Sequence, residues 1–292
     1  MKIAACAYRP EWHADWDGLT AKLETWVAQA AGQGADLLVF PEYGGGEAAL
    51  IGTPNDLSPA AWAVRMAQSA DAWVDVHVGL ASKHGVHILV GSTCARDGDR
   101  IVNRSWLVSP SGLVVHQDKL ILTPYERNLM EIHPGRSAKV FDTALGKIGV
   151  LICYDSEFPL QARAMCEAGA DLILVPSATD FPAGQTRVRQ SCRARAIENQ
   201  CLIVQSPVLG PVPHCDVLEQ GTGRVGFFCP PDYGLPSDGI LAQGDTDSAA
   251  WVVVEVDPKS IAAPRIGGQV GNFSHWSEQD SRLDHIQTQT LV

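Results

Sequence analysis

The sequence predicts an α/β protein built on a mixed β-sheet whose faces are covered by helices. Three observations predict it. Short apolar runs of β type recur along the whole chain, and segments with helical spacing fall between many of them. Some neighbouring runs are joined by hairpin-like turns, whereas others are separated by a helix, which suits a sheet of mixed direction. With 292 residues, 46% hydrophobic and 19% charged, the chain could form one large domain or two small ones. No linker rich in Pro, Gly or Ser and no charge run divides it, so one is expected.

The elements follow in order. Lys2 to Ala7 reads as a first, buried strand. Asp15 to Ala31 reads as an amphipathic helix with Leu19, Leu23, Trp26, Val27 and Ala30 near helical spacing, stopped by Gly32-Gln33-Gly34. The strand Asp36 to Phe40 follows. Ser58 is a plausible N-cap for an Ala-rich helix, and Ala70 to His84 reads as a second helix. His87 to Thr93 and Ser105 to Ser109 are strands, and Pro110-Ser111-Gly112 turns the chain into the strand that starts at Leu113. Later strands are Ile148 to Ile152, Leu172 to Val175, Leu202 to Gln205 and Trp251 to Val256, with helices at Phe158 to Ala168 and Ala183 to Asn199. Gly210 to Asp247, rich in Gly, Pro and Asp, is expected to form long loops. Arg265 to Val292 is polar and weakly patterned, and is expected to lie on a partner subunit or to hang loose.

The formal net charge of −11 argues against a nucleic-acid partner, which would need clustered Lys and Arg. The first residues do not form a signal peptide, and no run reaches the length of a membrane span. Eight cysteines are scattered without a CxxC pair, which suggests reduced thiols and a cytoplasmic location. Cys166, Cys192 and Cys201 read as small core residues. His84-x-x-His87 has no evident third ligand, so neither a metal nor another cofactor is expected.

Three strand-like runs end in reactive side chains. Leu37-Leu38-Val39-Phe40-Pro41 ends at Glu42, Leu113 to Asp118 ends at Lys119, and Lys147 to Ile152 ends at Cys153. A thiol on a strand-to-helix turn is pointed out of the sheet edge, and the helix N-terminus beyond it would favour a thiolate. Nine histidines could supply a base, but none sits in a recognisable Cys–His protease signature. Glu42 is the alternative, since a carboxylate desolvated at a sheet edge is pushed toward neutrality. Lys119 and the Tyr154 N–H would then face a tetrahedral oxyanion.

The surroundings of these residues are more specific than the residues themselves. Phe40-Pro41-Glu42-Tyr43, Lys119 with Pro124-Tyr125-Glu126, and Cys153-Tyr154-Asp155 with Glu157-Phe158-Pro159 occur in that order. Asn103-Arg104-Ser105, Pro134-Gly135 and the Arg193 to Gln200 run add further agreement. The chain thereby resembles the nitrilase superfamily of carbon–nitrogen hydrolases, and from Ser177 to Asn199 it is similar to an amidase-like branch of predicted bacterial amidohydrolases. That branch sometimes carries an acetyltransferase domain, and none is expected here. One segment departs from the family: Gly223 to Gly234 lacks its usual serine pattern.

The resemblance covers roughly residues 1–265, leaving 266–292 as a tail. It implies a four-layer α-β-β-α sandwich with mixed sheets, and a homodimer or higher homo-oligomer. It implies catalysis by Glu42, Lys119, Glu126 and Cys153 through a thioester, releasing a carboxylic acid and ammonia from a small linear amide. Nitrilase or N-carbamoyl amide hydrolase chemistry on the same residues, amide formation, and a catalytically idle scaffold are the alternatives. Tyr43, Tyr125, Tyr154, Asp180 and Phe181 adjoin the strand ends and are expected to line the substrate pocket. Arg187, Arg189, Arg193 and Arg195 recur at spacing two, which spreads them over different helix faces. Some are expected in ion pairs, with Glu198 or Glu157 as partners.

Overall fold

Strand β1 (Lys2–Ala7) sets the layering. Its residues alternate between two cores: Ile3, Ala5 and Ala7 enter one, while Ala4 and Cys6 enter the other. A strand buried on both faces reads as a continuous apolar run, as this one does. The computed structural model describes residues 1–291 and repeats this pattern in two six-stranded mixed sheets stacked face to face. The chain is therefore a four-layer α-β-β-α sandwich.

The first sheet contains β1, β2 (Leu37–Val39), β3 (His87–Asp97), β4 (Arg100–Val108), β5 (Val114–Asp118) and, late in the chain, β12 (Ala250–Glu255). Its order is β12-β1-β2-β3-β4-β5. The pairs β1–β2 and β2–β3 are parallel and the others antiparallel. Helices α1 (Trp16–Gly32) and α2 (Pro59–His84) cover its outer face with Leu19, Leu23, Val27, Trp73 and Leu80. Asp15 caps α1 by accepting the Gly18 N–H, and Ser58 caps α2 by accepting the Ala61 N–H.

The second sheet has the order β11-β10-β9-β8-β7-β6. Its strands are β6 (Val140–Thr143), β7 (Gly146–Val150), β8 (Leu172–Ser177), β9 (Leu202–Pro207), β10 (Gly226–Phe228) and β11 (Ile240–Gln243). Helices α4 (Pro159–Glu167) and α5 (Pro182–Asn199) cover it with Ala162, Met165, Val188, Cys192 and Ala196. A short helix, α3 (Pro124–Asn128), links the two halves. Cys166, Cys192 and Cys201 are buried core residues, and all eight cysteines are free thiols.

Two expectations are corrected. The two helices expected between Ser58 and His84 are one. No Gly or Pro interrupts the stretch around Ala70, and Trp62, Met66, Ala70, Trp73, His77 and Leu80 hold one buried stripe through it. The stretch 210–247 is not all loop, because Phe227 and Phe228 are fully buried and pair β10 between β9 and β11.

After β12 come α6 (Pro258–Ala262) and α7 (Pro264–Gly267). The start of the tail is packed on its own domain, which its weak pattern did not suggest. The Phe273 ring sits 4.2 Å from the Arg163 guanidinium and 4.5 Å from that of Arg265. Its N–H donates to Gln200 Oε1 at 3.2 Å. A last turn of helix, α8 (Asp280–Leu283), precedes a stretch with no regular structure. No described helix is long and apolar enough to cross a membrane.

The first sheet bends where it delivers its reactive residue. Gly91 has φ +78, and a Cβ there would lie 2.2 Å from the Pro41 carbonyl oxygen. Strand β3 shifts register between Leu89 and Ser92, and the freed Ser92 N–H donates to that carbonyl at 3.1 Å. Only glycine lets the backbones approach this closely. Gly91→Ala is therefore expected to cost about 1–3 kcal/mol, read as a lower melting temperature, and to reduce activity because Pro41 carries Glu42.

Candidate active site

Glu42, Lys119 and Cys153 follow β2, β5 and β7, and the sandwich brings these three ends together. Cys153 opens a 3-10 turn, Cys153–Glu157, with φ +50. A non-glycine residue in the left-handed region stores strain and is held there by its surroundings. Here Ser156 Oγ donates to the Cys153 carbonyl at 2.6 Å, and the Cys153 thiol donates to the Ala178 carbonyl at 3.4 Å. The turn's ladder starts with the Asp155 N–H on the Ile152 carbonyl. The Tyr154 N–H precedes that ladder, as the first donors of a helix do.

Four buried ionisable groups meet at this point. Lys119 Nζ donates to Glu42 Oε1 at 2.8 Å and to both Glu126 oxygens at 2.9 and 2.7 Å. The Ala178 N–H donates to the other Glu42 oxygen at 2.8 Å, and the Cys153 thiol lies close enough to feel the Glu42 charge. Burial raises the Glu42 carboxyl to about 7, against the pull of Lys119 and with the push of Glu126. Burial would also raise Glu126, but the Lys119 charge and hydrogen bonds from Lys119, Thr123 and Asn103 hold it below its ordinary value. Burial opposes the Lys119 charge, yet Glu126 and Glu42 outweigh it and push the amine up.

The thiol departs from the sequence expectation. Burial, and then the Glu42 charge, push Cys153 well above its ordinary range, and Lys119 only partly offsets them. The helix α4 begins at Pro159, beyond the 3-10 turn, so its N-terminus does not lie beside the sulfur. These effects favour the neutral thiol beside the Glu42 carboxylate.

Several supporting residues were not foreseen as parts of the site. Asn103 on β4 donates to Glu42 at 2.9 Å and to Glu126 at 3.1 Å, joining the two carboxylates. Thr123-Pro124-Tyr125-Glu126 is a capping box, a pattern visible in the sequence. It fixes Glu126 because the Thr123 N–H and hydroxyl both donate to its Oε2 at 2.9 Å. Asp155 accepts the N–H of Ile121 at 2.8 Å, of Leu120 at 3.2 Å and of Ile152 at 3.3 Å. It thus ties the backbone after Lys119 to the residue before Cys153. Asp155→Asn turns an amide NH₂ toward one of these donors. A loss of about 1–3 kcal/mol is expected, seen in thermal melts, with a fall in kcat from the loosened Lys119–Cys153 spacing.

A profile of the family described as carbon-nitrogen hydrolase matches residues 2–214. The chain belongs to the carbon–nitrogen hydrolase family. It is 30% identical to the probable hydrolase YhcX of Bacillus subtilis over 289 residues, which cover 98% of this chain but only 55% of that protein. It is also 32% identical to an (R)-stereoselective amidase of a Pseudomonas species, covering 82% of this chain and 79% of the amidase. Among solved structures, an amidase from a Nesterenkonia species matches with a TM-score of 0.70 at 23% identity, covering 89% of this chain and 92% of that one. Nit3 of Saccharomyces cerevisiae matches with the same score at 22% identity, covering 91% and 93%. Both structural matches show the nitrilase-superfamily fold.

In this carbon–nitrogen hydrolase the reactive groups line a cavity of about 260 Å³. All five residues expected to bind substrate line it, in different ways. Tyr43 is buried, and its hydroxyl donates to Glu126 Oε1 at 2.8 Å, so it also orients that carboxylate. Tyr154 is half-buried and packs edge-on against Phe158. Tyr125 donates to Asp216, a rim residue the sequence did not single out. Phe181 is 59% exposed and stands at the mouth with Asp180.

Two of the arginines form the expected ion pairs. Arg195 pairs with Glu198 at 2.8 Å, and Arg187 reaches Glu157 at 3.5 Å at the cavity rim. Away from the cavity, Glu11, His13 and Glu47 place potential ligand atoms close together. Lys22 Nζ already sits 2.7 Å from the Glu47 oxygen they share. His84 instead pairs with Glu24.

Proposed function

We propose that this hydrolase is a thiol amidase that converts a small linear amide to a carboxylic acid and ammonia. The observation that carries the reading is the Glu42–Lys119–Glu126–Cys153 cluster on the wall of a cavity too small for a folded polypeptide. Similarity to an amidase at 32% identity supports an amide substrate.

The thiol is neutral at rest, so attack needs a base in contact with it. Glu42 takes the proton as sulfur bonds to the amide carbon. Lys119 and the Tyr154 N–H face the oxyanion, where donors fixed in a dry site act strongly. Glu42 returns the proton to the departing nitrogen, and ammonia leaves a Cys153 thioester. Water enters, Glu42 takes its proton, and the second tetrahedral species collapses to the acid and the free thiol. Glu126 keeps Lys119 charged and in place throughout.

The test is ammonia release from short amides, nitriles and carbamoyl amines, with acid formation followed in parallel and Cys153→Ala alongside. Ammonia and acid from an amide, absent in the variant, support the reading. Turnover of nitriles or carbamoyl amines alone would move the assignment within the family. No turnover of any compound, with Cys153 inert to iodoacetamide, would leave the idle scaffold.

A further inference from the structure

The cavity mouth carries a charge pattern that the reaction does not use. The chain passes directly from the reacting atoms to the rim. Ala178 contacts both Glu42 and Cys153, and Asp180 lies two residues further on. Asp180 and Cys153 both line the cavity, so a bound substrate meets both residues. Asp216 lines the same cavity from the opposite loop.

Each side chain at the mouth has a different engagement. Arg187 is turned to Glu157. The Tyr125 hydroxyl is given to Asp216, and that of Tyr43 to Glu126. Asp180 has no hydrogen bond or ion pair among the described residues. Although the residue is exposed at the mouth, desolvation, and then the nearby Asp216 charge, raise its carboxyl above the ordinary range. Deeper in, Lys119 is already matched by Glu42 and Glu126. The lining therefore offers surplus negative charge around its mouth.

Building on the amidase reading, we propose that the substrate is a short amide whose far end carries a protonated amine, and that Asp180, seconded by Asp216, selects it. A cation there would relieve the repulsion between the two carboxylates and take the acceptor that Asp180 leaves open. An anionic tail would meet both. A cavity of about 260 Å³ holds an amide with a short tail beyond the carbonyl.

The experiment compares three amides of similar length: 4-aminobutanamide (cationic), pentanamide (its neutral isostere) and succinamate (anionic). The expected order of kcat/KM is cationic, neutral, anionic, with about ten- to a hundredfold between the first two. Asp180→Asn should shrink the cationic-to-neutral ratio about tenfold, and added salt should compress the same ratio in the unaltered enzyme. Both readouts are ratios within one protein, so a general loss of activity does not imitate them. Equal or better use of pentanamide or succinamate, or a ratio indifferent to Asp180→Asn and to salt, would overturn the proposal while leaving the amidase intact. Ammonia release from none of the three would count against the amidase reading itself, and the proposal would fall with it.

Discussion

Cys153→Ala is expected to abolish turnover, with a fall on the order of 10⁶ in kcat, the scale seen when a covalent nucleophile is removed. The same change should leave the protein folded. The thiol's one hydrogen bond is a long contact with the Ala178 carbonyl, and the neighbouring Glu42 carboxylate is held independently by Lys119, Asn103 and Ala178. Truncation removes one sulfur atom from a buried site, a cost of about 1 kcal/mol, and relieves a raised thiol of its unfavourable neighbour. Melting curves within a few degrees of the unaltered protein, together with loss of ammonia release, are the expected pair. Retained turnover would remove the thioester from the mechanism. Loss of folding would show that the strained turn depends on the sulfur.

The outcome also bears on what could be seen in the sequence. Glu42, Lys119 and Cys153 are legible because each ends a strand, and a strand end is marked by where an apolar run stops. Glu126 is legible from its local context, and its capping box is written in four consecutive residues. Asn103, Asp155 and Ala178 serve the site through hydrogen bonds to residues far away in the chain, those of Asp155 and Ala178 crossing from one sheet to the other. No local pattern encodes such a contact, and a buried Asn or Asp reads in sequence like any loop residue.

Asp216 reaches the cavity from a stretch whose Gly and Pro content suggested only loop. In the fold, the long strands were plain from their apolar runs, whereas the four-residue edge strands β6 and β11 were not read. The short β10 was hidden because two buried phenylalanines beside a Cys-Pro-Pro sequence do not make a run. The continuous α2 was hidden for the opposite reason: its alanines fit a helix everywhere, and nothing in them marks whether it is one or two.

Glu42→Gln is expected to cut kcat by about 10²–10⁴-fold, the range for a general base, with a smaller change in KM. The unaltered enzyme should lose activity on the acid side with a midpoint near pH 7, the level to which burial raises Glu42. The sign follows from the role. A base works only when ionised, so kcat/KM is full above that midpoint and falls roughly tenfold for each pH unit below it. The midpoint belongs to the coupled cluster and not to Glu42 alone, since Lys119, Glu126 and Cys153 all feel its charge.

Glu42→Gln should therefore abolish the acid limb along with most of the rate. A glutamine there also meets Lys119 with a neutral amide, so one of the two charges that hold the ammonium is lost. Glu126 then carries the pair alone, and the amine is held less far above its ordinary value. A variant that kept its rate, or an acid limb that persisted unchanged in it, would mean that the proton of Cys153 goes elsewhere. Glu126 is the only other carboxylate the cluster offers, and donors from four residues leave it poorly placed to take that proton.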